Sequence, residues 1–370
     1  MLWQTRITPE FILKNGRLSL ILKPISILKR PCDKGRESLL PLWLAYYRIR
    51  PVHNAYGGVC TCRNRHHFKG VFSIQTVKVA LLNALLRFCS WLPLRLAHGL
   101  GTLIGHLAWL LKTESCRTTR RNIDLCFEAL SVSEREALSK KSLIETAKTA
   151  CELGQVWILP PEVSLRKIIK TSGKEHLEAA IAKGAGIIIL APHLGNWELC
   201  GLFLDSCGPS TYLYKPPKLT AFEPKILHYR GRLGAKLAPT SAKGVAMLLK
   251  ALSRGELVGI LPDQEPNWDS GVFAPFFGND ALTMTLVAKL ANRTQATVLS
   301  IFARRLDKSA GFEIIIQPAR AGVASEDGVA AATALNATVE DCVRLAPEQY
   351  QWEYRRFKRQ ADRSKNALYR

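Results

Sequence analysis

The chain has 370 residues, with 52 Lys and Arg against 30 Asp and Glu, a formal net charge of +22 and a hydrophobic fraction of 47%. This length allows one large domain or two ordinary ones, and this composition excludes a mainly disordered chain. The positive charge indicates anionic partners, such as nucleic acid, an anionic membrane leaflet or a phosphorylated lipid. Ten cysteines without regular spacing, and no cleavable secretory signal, favour a reduced, cytosol-facing compartment.

Residues 1–70 are strongly basic, with 13 Lys and Arg against 3 Asp and Glu. They show no sustained helical or strand period. We interpret them as an appendage, either disordered or the product of an over-extended gene start. Its metal-ligand residue types do not have the usual zinc spacing, so we predict no metal site. These residues are Cys60, Cys62, His66 and His67.

Residues 71–112 are mostly apolar, but Lys78, Arg87 and Arg95 interrupt the run and Pro93 divides it. A helix that crosses a bilayer needs about 20 nearly uncharged residues, and no window here meets that requirement. We therefore predict two short membrane-associated helices that lie at, or dip into, the bilayer surface. A pair of buried core helices is the alternative.

Residues 113–360 have the pattern of an α/β domain, and residues 361–370 form a short tail. Strands alternate with helices, which predicts a mostly parallel sheet flanked by helices. The run GIIILA at 186–191 is apolar and β-branched, as expected of a strand covered on both faces. The predicted helices cover 131–150, 174–183, 222–232, 242–253, 283–293 and 329–345, and the predicted strands cover 186–191, 211–214, 257–261, 297–302 and 312–317.

A histidine and a carboxylate follow this apolar strand, His193 at its exit and Glu198 five residues later. In open α/β sheets, ligands bind where the carboxyl ends of strands meet the following loops. A carboxylate on one ring nitrogen fixes the tautomer of a histidine, while the other nitrogen takes a proton from an attacking hydroxyl. We predict that His193 is a general base and that Glu198 is its partner. A hydrogen-bonded structural histidine is the alternative.

Asp263 and Gln264 stand at the exit of a second predicted strand, 257–261. Two strand exits can meet at one cleft, so Asp263 competes with Glu198 for the role of histidine partner, and Gln264 adds an amide. We favour Glu198. The alternative for Asp263 and Gln264 is that they hold the loop 263–279 by backbone hydrogen bonds.

The segment APHLGNWE at 191–198 resembles the HX4(D/E) signature of the bacterial lipid A biosynthesis acyltransferases, the lauroyl and myristoyl transferases of that pathway. Six further segments resemble landmarks of this family and occur in its order. Together they cover most of the chain beyond the basic appendage. They are RRNIDLCF at 120–127, YKPP from Tyr214, GRLG from Gly231, LPDQE from Leu261, GVFAPFFG from Gly271 and PEQYQWEYRRFK from Pro347.

The resemblance implies a glycerol-phosphate-acyltransferase-like fold and acyl transfer from a thioester to a hydroxyl of a glucosamine-based lipid. The acceptor hydroxyl would belong to a fatty chain already attached to that lipid, so the product would be an acyloxyacyl ester. His193 would be the general base and Glu198 its orienting carboxylate. Arg232 would stabilise the oxyanion or bind a donor phosphate. Arg230 is the alternative for that role, and a surface position is the alternative for Arg232.

Further residues are candidates for substrate binding. Asn196 and Trp197 lie beside the predicted base and would support it. Lys215 stands where the family motif has an arginine, and it offers a point charge instead of a fork. Arg355 and Arg356 are candidate phosphate ligands. Three aromatic residues have three alternative roles: they line an acyl groove, they seat their loop on a membrane, or they pack against the domain. These residues are Phe273, Phe276 and Phe277.

We predict an O-acyltransferase on the cytoplasmic face of the bacterial inner membrane that uses an acyl carrier protein thioester and a lipid A precursor. A basic surface suits an acidic carrier protein and an anionic leaflet. No cofactor is expected, because the thioester is already activated. One alternative keeps the fold but acts on another glycolipid or phospholipid with acyl-CoA. A second alternative is a basic protein that binds nucleic acid or membrane surfaces; no nucleic-acid-binding motif is recognisable, so we predict no nucleic-acid partner.

Overall fold

The computed structural model describes residues 7–14, 17–24, 74–362 and 367–369. The chain divides into two compact units, Met1–Lys69 and Gly70–Arg370. In the first unit, strands β1 (Ile7–Lys14) and β2 (Arg17–Pro24) pair antiparallel, where the sequence analysis predicted no strand. The four cysteine and histidine residues considered as zinc ligands lie outside the described residues.

The second unit begins with helices α1 (Ile74–Trp91) and α2 (Leu94–Leu110), which are divided at Pro93 as the sequence predicts. Each helix buries one face and exposes the other. Leu86 and Ala97 are buried, for example, whereas many other apolar side chains of both helices are exposed. Among the described helices, none combines the length and the apolar character needed to cross a membrane.

The other helices and strands of the second unit follow in alternation. The helices are α3 (Glu114–Cys126), α4 (Val132–Ile158), α5 (Pro161–Leu165), α6 (Lys174–Ala182), α7 (Trp197–Cys207), α8 (Glu223–Arg230), α9 (Ala242–Leu252), α10 (Leu286–Thr294) and α11 (Gly328–Leu345). The strands are β3 (Ile168–Ser172), β4 (Ile187–Leu190), β5 (Ser210–Tyr214), β6 (Lys236–Pro239), β7 (Leu257–Ile260), β8 (Gly271–Phe276), β9 (Asn279–Met284), β10 (Thr297–Arg305) and β11 (Phe312–Pro318).

Seven of the described strands form one sheet in the order β3-β11-β10-β4-β7-β5-β6. Strand β4 pairs in parallel with β10 on one side and with β7 on the other, and β5 and β6 continue the parallel arrangement. Strand β11 reverses direction, because it pairs antiparallel with β10, and β3 runs parallel to β11. The sheet is mostly parallel and is flanked by helices, which confirms this part of the predicted fold class.

Strand β4 lies at the centre of the sheet, and all four of its residues are buried. Ile187 and Ile189 pack in a cluster with apolar residues of α4, α6 and α7. Ile188 and Leu190 pack on the other face with residues of α9 and α10. Because helices cover both faces, every position of β4 is apolar. This explains why a continuous apolar run, without alternation, forms the strand that leads to the predicted site.

Glycines allow α1 and α2 to approach α4 closely. A methyl carbon added at Gly154 of α4 would lie 2.8 Å from Cβ of Cys89 and 2.9 Å from the backbone nitrogen of Ser90, both in α1. A methyl carbon added at Gly105 of α2 would lie 2.9 Å from the backbone nitrogen of Ile144 in α4. Since packed interiors leave no room for such atoms, these contacts fix α1 and α2 firmly to α4.

Strands β8 and β9 form a hairpin where the sequence predicted a loop over 263–279 and a helix from Thr283. The two strands pair antiparallel through a two-residue turn at Phe277 and Gly278, whose φ angles are 48° and 76°. Positive φ at both central residues is the requirement of a type I′ hairpin turn. Residues 272–277 therefore lie mostly in a strand, and the helix predicted from Thr283 begins instead at Leu286.

We expect Gly154→Ala to lower the free energy of unfolding by about 1–3 kcal/mol, because the added methyl group overpacks the contact between α1 and α4. Gly99→Ala in α2 is the matched control, since a methyl group there meets no atom within 4 Å in the part of the chain that the structure describes. The control should raise the free energy of unfolding by about 0.5–1 kcal/mol. Urea unfolding of the purified chain measures both changes, and equal stability of the two variants would contradict the packing.

Candidate active site

The turn after β4 carries His193 and is held by backbone hydrogen bonds. The backbone nitrogen of Gln351 donates to the His193 carbonyl, and that of Gly195 donates to the Gln349 carbonyl, both at 3.0 Å. Gly195 has a φ of 58°, and a Cβ there would lie 2.9 Å from the carbonyl carbon of Ala303 in β10. Glycine suits both this conformation and this close approach. The segment from Pro347 thus supports the histidine.

Asp263 is the carboxylate that contacts His193. Its Oδ1 lies 2.8 Å from His193 Nδ1, and its Oδ2 accepts a hydrogen bond from the His193 backbone nitrogen at 2.8 Å. The two residues meet because β4 and β7 are adjacent parallel strands, with Leu190 opposite Ile260. Burial by itself would raise the pKa of Asp263, but the charge and hydrogen bonds of His193 outweigh burial and lower that pKa below its ordinary value. The carboxyl group is therefore ionised beside the ring.

The second ring nitrogen of His193, Nε2, lies 3.2 Å from the side-chain nitrogen of Gln264. Trp197 packs edge-on against the ring, with centroids 5.0 Å apart. The His193 side chain is 15% exposed. If Nδ1 carries its proton toward Asp263, Nε2 keeps the lone pair that accepts the hydrogen bond from Gln264. This tautomer, with partial access to solvent, is the one that a general base requires.

Glu198 has other partners than the one predicted. It lies in the first turn of α7 and accepts hydrogen bonds from Trp157 Nε1 and Arg230 Nε, each at 3.0 Å, and a further one from Arg230 Nη2. Burial would raise the pKa of Glu198, but Arg230 and Trp157 outweigh it and lower that pKa. The ring contact predicted for Glu198 is made by Asp263, so the prediction of Glu198 as the partner of His193 is wrong. Because α7 starts directly after the turn, Glu198 is fixed on the helix.

Arg232 donates hydrogen bonds to three backbone carbonyls, those of Tyr229 at 3.1 Å, Leu159 at 2.6 Å and Val156 at 2.5 Å. Two of these carbonyls belong to the end of α4, where helix carbonyls lack partners within the helix. Burial lowers the pKa of Arg232. The side chain therefore caps α4, and its nitrogens are engaged. Its predicted role at the oxyanion stays untested by these contacts.

An apolar cleft of about 640 Å³, including its open mouth, lies beside Trp197. Trp197 contributes to the wall of the cleft and also contacts the His193 ring. Clefts with mainly apolar walls and a few polar groups are typical of sites for ligands with large apolar parts. The polar groups here include the Glu198–Arg230 pair. The apolar lining includes Val156, Trp157, Ala191, Leu202, Leu204, Leu213 and Leu261.

A buried network of charges supports the same turn from the side of α4. Glu152 accepts hydrogen bonds from the Asn196 amide at 2.9 Å and from Arg305 Nη2 at 2.8 Å, and it lies 2.7 Å from His98 Nε2. Arg305 also donates to Glu145 at 2.6 Å. Buried charges persist when they are paired and hydrogen-bonded. The network fixes Asn196, whose side chain caps α7, and it gives Asn196 the supporting position that the sequence predicts.

Lys215 lies at the same edge of the sheet as His193, whereas the three aromatic residues predicted to bind substrate lie outside the lining of the cleft. Lys215 is exposed and follows β5, so it lies at the same edge of the sheet as His193. Phe276 and Phe277 are buried in a cluster with aromatic residues near the C-terminus, and Phe273 packs against a tryptophan. The described residues that line the cleft do not include these three. Phe276 and Phe277 pack against the domain, which is one of the alternatives that the sequence left open.

Arg356 is buried in the core. It donates hydrogen bonds to the Leu282 carbonyl at 2.7 Å and to the Thr283 hydroxyl at 2.9 Å. This position contradicts its predicted role as a phosphate ligand, and it shows that Arg356 fixes β9 to the C-terminal segment. Arg355 is partly exposed and pairs with Glu114 at 2.6 Å.

Several residues of the site were missed by the sequence analysis, namely Trp157, Tyr212 and Tyr229 in the cleft and Glu152 and Arg305 in the network. Their partners come from distant parts of the chain, 41 residues apart for Trp157 and Glu198 and 153 for Glu152 and Arg305. No local spacing indicates such pairs. One signal in the sequence is available. Arg305 ends the apolar strand β10, and a buried charge at that position requires a partner.

The fold and the site define an α/β protein with a His–Asp pair at the carboxyl edge of a mostly parallel sheet, near an apolar cleft. Comparison with known proteins agrees. The profile of the family described as bacterial lipid A biosynthesis acyltransferase matches residues 66–359. The chain belongs to this family and is an acyltransferase.

Three relatives illustrate the similarity. The lipid A biosynthesis lauroyltransferase of Escherichia coli (strain K12) is 29% identical over 72% of this chain and 87% of its own length. The lipid A biosynthesis palmitoleoyltransferase of the same organism is 30% identical over 72% of this chain and 86% of its own length. A lipid A biosynthesis acyltransferase of Haemophilus influenzae is 30% identical over 70% of this chain and 79% of its own length.

The buried network predicts a dependence of stability on pH. Burial would raise the pKa of Glu152, but Arg305 and His98 outweigh it and lower that pKa from 4.5 to about 2. The unfolded chain therefore binds the proton more readily, and the stabilisation present above pH 4.5 is lost as the pH falls toward 2. We expect Glu152 to account for a loss on the order of 3 kcal/mol in the free energy of unfolding over this window.

Urea unfolding at a series of pH values measures this loss. Glu152→Gln should flatten the pH dependence in that window, although it also lowers stability at neutral pH. Glu136→Gln on the same helix is the control, because Glu136 pairs at the surface with Arg120 and exposed pairs contribute little. A Glu152→Gln curve parallel to that of the wild type would contradict the assignment.

Proposed function

We propose that this acyltransferase moves a fatty acyl chain from an acyl carrier protein thioester to a hydroxyl of a lipid A precursor, the secondary acylation of lipopolysaccharide biosynthesis. One observation carries the mechanism. His193 has Nδ1 on the Asp263 carboxylate and Nε2 beside the Gln264 amide, and Trp197, which packs against the ring, lines an apolar cleft. The names of the relatives support the substrate class, since each is a lipid A biosynthesis acyltransferase.

In the proposed reaction, His193 Nε2 takes the proton of the acceptor hydroxyl as its oxygen attacks the thioester carbonyl. A tetrahedral intermediate forms, and the carbon–sulfur bond then breaks. The departing thiolate takes the proton back from the imidazolium, so the base is regenerated. Asp263 stabilises the imidazolium through Nδ1. Gln264 marks the place of the acceptor oxygen, because its amide occupies the hydrogen-bonding position at Nε2.

Arg230 is the better candidate for the anionic groups of the substrates. Arg232 uses its nitrogens on three backbone carbonyls. Arg230 also lines the cleft, and Glu198 holds its guanidinium through two nitrogens. We propose that this ion pair orients Arg230 toward the oxyanion or a donor phosphate. Lys215, at the same edge of the sheet, would add a point charge for a phosphate of the acceptor.

A basic segment beside the cleft supports a carrier protein as the donor. Residues 215–250 hold eight Lys and Arg against one Asp or Glu, and α8 within this segment lines the cleft through Tyr229 and Arg230. A surface of one sign speeds the encounter with a partner of the opposite sign. An acidic carrier protein has that charge. Acyl-CoA is the alternative donor.

The exposed apolar face of α1 supports association with the surface of a membrane. Leu81, Leu85, Phe88 and Trp91 lie along one side of the helix, between 49% and 79% exposed. Exposed Lys78 and Arg87 flank this face, as in helices that lie in the plane of an anionic leaflet. We propose that α1 and α2 rest on the cytoplasmic face of the bacterial inner membrane.

His193→Ala should reduce the rate of acyl transfer by about 10²–10⁴-fold, because the acceptor hydroxyl loses its base. Asp263→Asn should reduce it by a comparable factor, since an amide at Nδ1 favours the wrong tautomer. The assay follows transfer from an acyl carrier protein thioester to purified lipid A precursor by mass spectrometry, with circular dichroism to check the fold.

Asp280→Asn is the control for that experiment, because Asp280 is an exposed carboxylate on β9. A folded His193→Ala variant that keeps most of its turnover would refute the proposed mechanism. Faster transfer to a glycerophospholipid, or from acyl-CoA, would favour the alternative substrates.

Leu81→Glu combined with Leu85→Glu should reduce binding to vesicles that contain anionic phospholipid. The vesicles are floated at high salt, where purely electrostatic binding is released. Val329→Glu is the control, because Val329 is an apolar residue of another helix, α11, and its exposed fraction of 50% is close to the 54% of Leu85. Unchanged flotation of the double variant would contradict the proposed membrane face.

A further inference from the structure

The relatives of this chain are named for different acyl chains, lauroyl and palmitoleoyl. A residue of the cleft bears on this difference. Gly201 lies in the interior of α7 and lines the cleft. The reason for a glycine at this position is not found in the helix or in its packing.

Glycine is less favourable than alanine inside a helix. Many helical glycines are needed because another backbone lies against them, as at Gly154. A Cβ at Gly201, in contrast, would meet no atom of the described residues within 4 Å. Packing therefore allows a larger residue here. What glycine preserves at this position is open space, and that space belongs to the cleft that Gly201 lines.

Gly201 lies in the middle of the side of α7 that faces the cleft. Glu198, Gly201 and Asp205 follow each other at intervals of three and four residues, so they share one face of the helix, and all three line the cleft. From Glu198 to Asp205 the helix rises by about 10 Å. Trp197 contacts the His193 ring, so the start of α7 is the reactive end of the cleft.

Tyr212 also lines the cleft, next to Asp205 and Gly201. Its hydroxyl donates to Asp205 Oδ1 at 2.5 Å and lies 3.0 Å from the Gly201 carbonyl. A Cβ at Gly259 in β7 would lie 2.6 Å from Cε1 of Tyr212, so the ring packs directly on the strand. Ser210 donates a second hydrogen bond to Asp205. These contacts fix the aromatic ring and satisfy the polar groups around it.

We infer that Gly201 determines the length of the acyl chain that the cleft accepts and that the fixed ring of Tyr212 forms the end of the cleft. This inference rests on the proposed function. A side chain at position 201 would occupy space between the reactive end and Tyr212. Longer chains would then lose buried methylene groups, each worth about fourfold in affinity.

The test compares Gly201→Ala and Gly201→Leu with the wild type, using acyl carrier protein thioesters whose saturated chains differ by two carbons. Gly201→Ala should raise the melting temperature, since alanine favours the helix, and yet shift transfer toward shorter chains. Gly201→Leu should shift the ratio of short-chain to long-chain transfer by about tenfold or more. Ser206→Leu is the matched control, because Ser206 is exposed on the same helix and does not line the cleft.

A binding measurement makes the result independent of turnover. Brominated fatty acids of increasing length should quench the tryptophan fluorescence of the wild type, since Trp157 and Trp197 line the cleft. The Gly201→Leu variant should bind only the shorter ones. Unchanged chain preference in both variants, in a wild type that transfers acyl chains to lipid A precursor, would overturn the inference alone. A wild type without such transfer would instead refute the proposed function.

Discussion

The site depends on one carboxylate that holds both the ring and the backbone of a histidine. Asp263 contacts Nδ1 of His193 with one oxygen and its backbone nitrogen with the other, each at 2.8 Å. The first contact fixes the tautomer, and the second fixes the turn that carries the residue. Both depend on the pairing of β4 with β7, because a shift of register by one residue would turn these side chains to the opposite face. The central strands thus serve the chemistry as well as the core.

Buried charged residues hold the turn between β4 and α7 in place. Asn196 bridges the first turn of α7 and the buried Glu152, which is held by Arg305. Such a network contributes little net stability compared with apolar packing, but removal of one member leaves a charge without a partner. Its advantage is a defined position for the residues around His193. Positions held within a fraction of an ångström are what catalytic groups require.

Local patterns in the sequence predicted the fold well, and contacts between distant segments limited the prediction of the site. The run at 186–191 indicated a covered strand, and the residues after it indicated the histidine, because both signals are local. The choice of Glu198 over Asp263 was wrong because the true contact joins residues 70 positions apart. Spacing along the chain carries no information about such a pair. For the same reason Arg356 looked like one of several surface cations, although the hairpin of β8 and β9 buries it.

Helix α4 connects the contact with α1 to the wall of the cleft. It has 27 residues, and Gly154, where α1 packs, lies within one helical turn of Val156 and Trp157, which form part of the cleft wall. A rigid rod of this kind cannot tilt at one end without moving the other. If α1 rests on a leaflet as proposed, the depth at which it settles also sets the height of the cleft above the lipid. A hydrocarbon tail could then pass from the bilayer into the enzyme without an aqueous gap to cross.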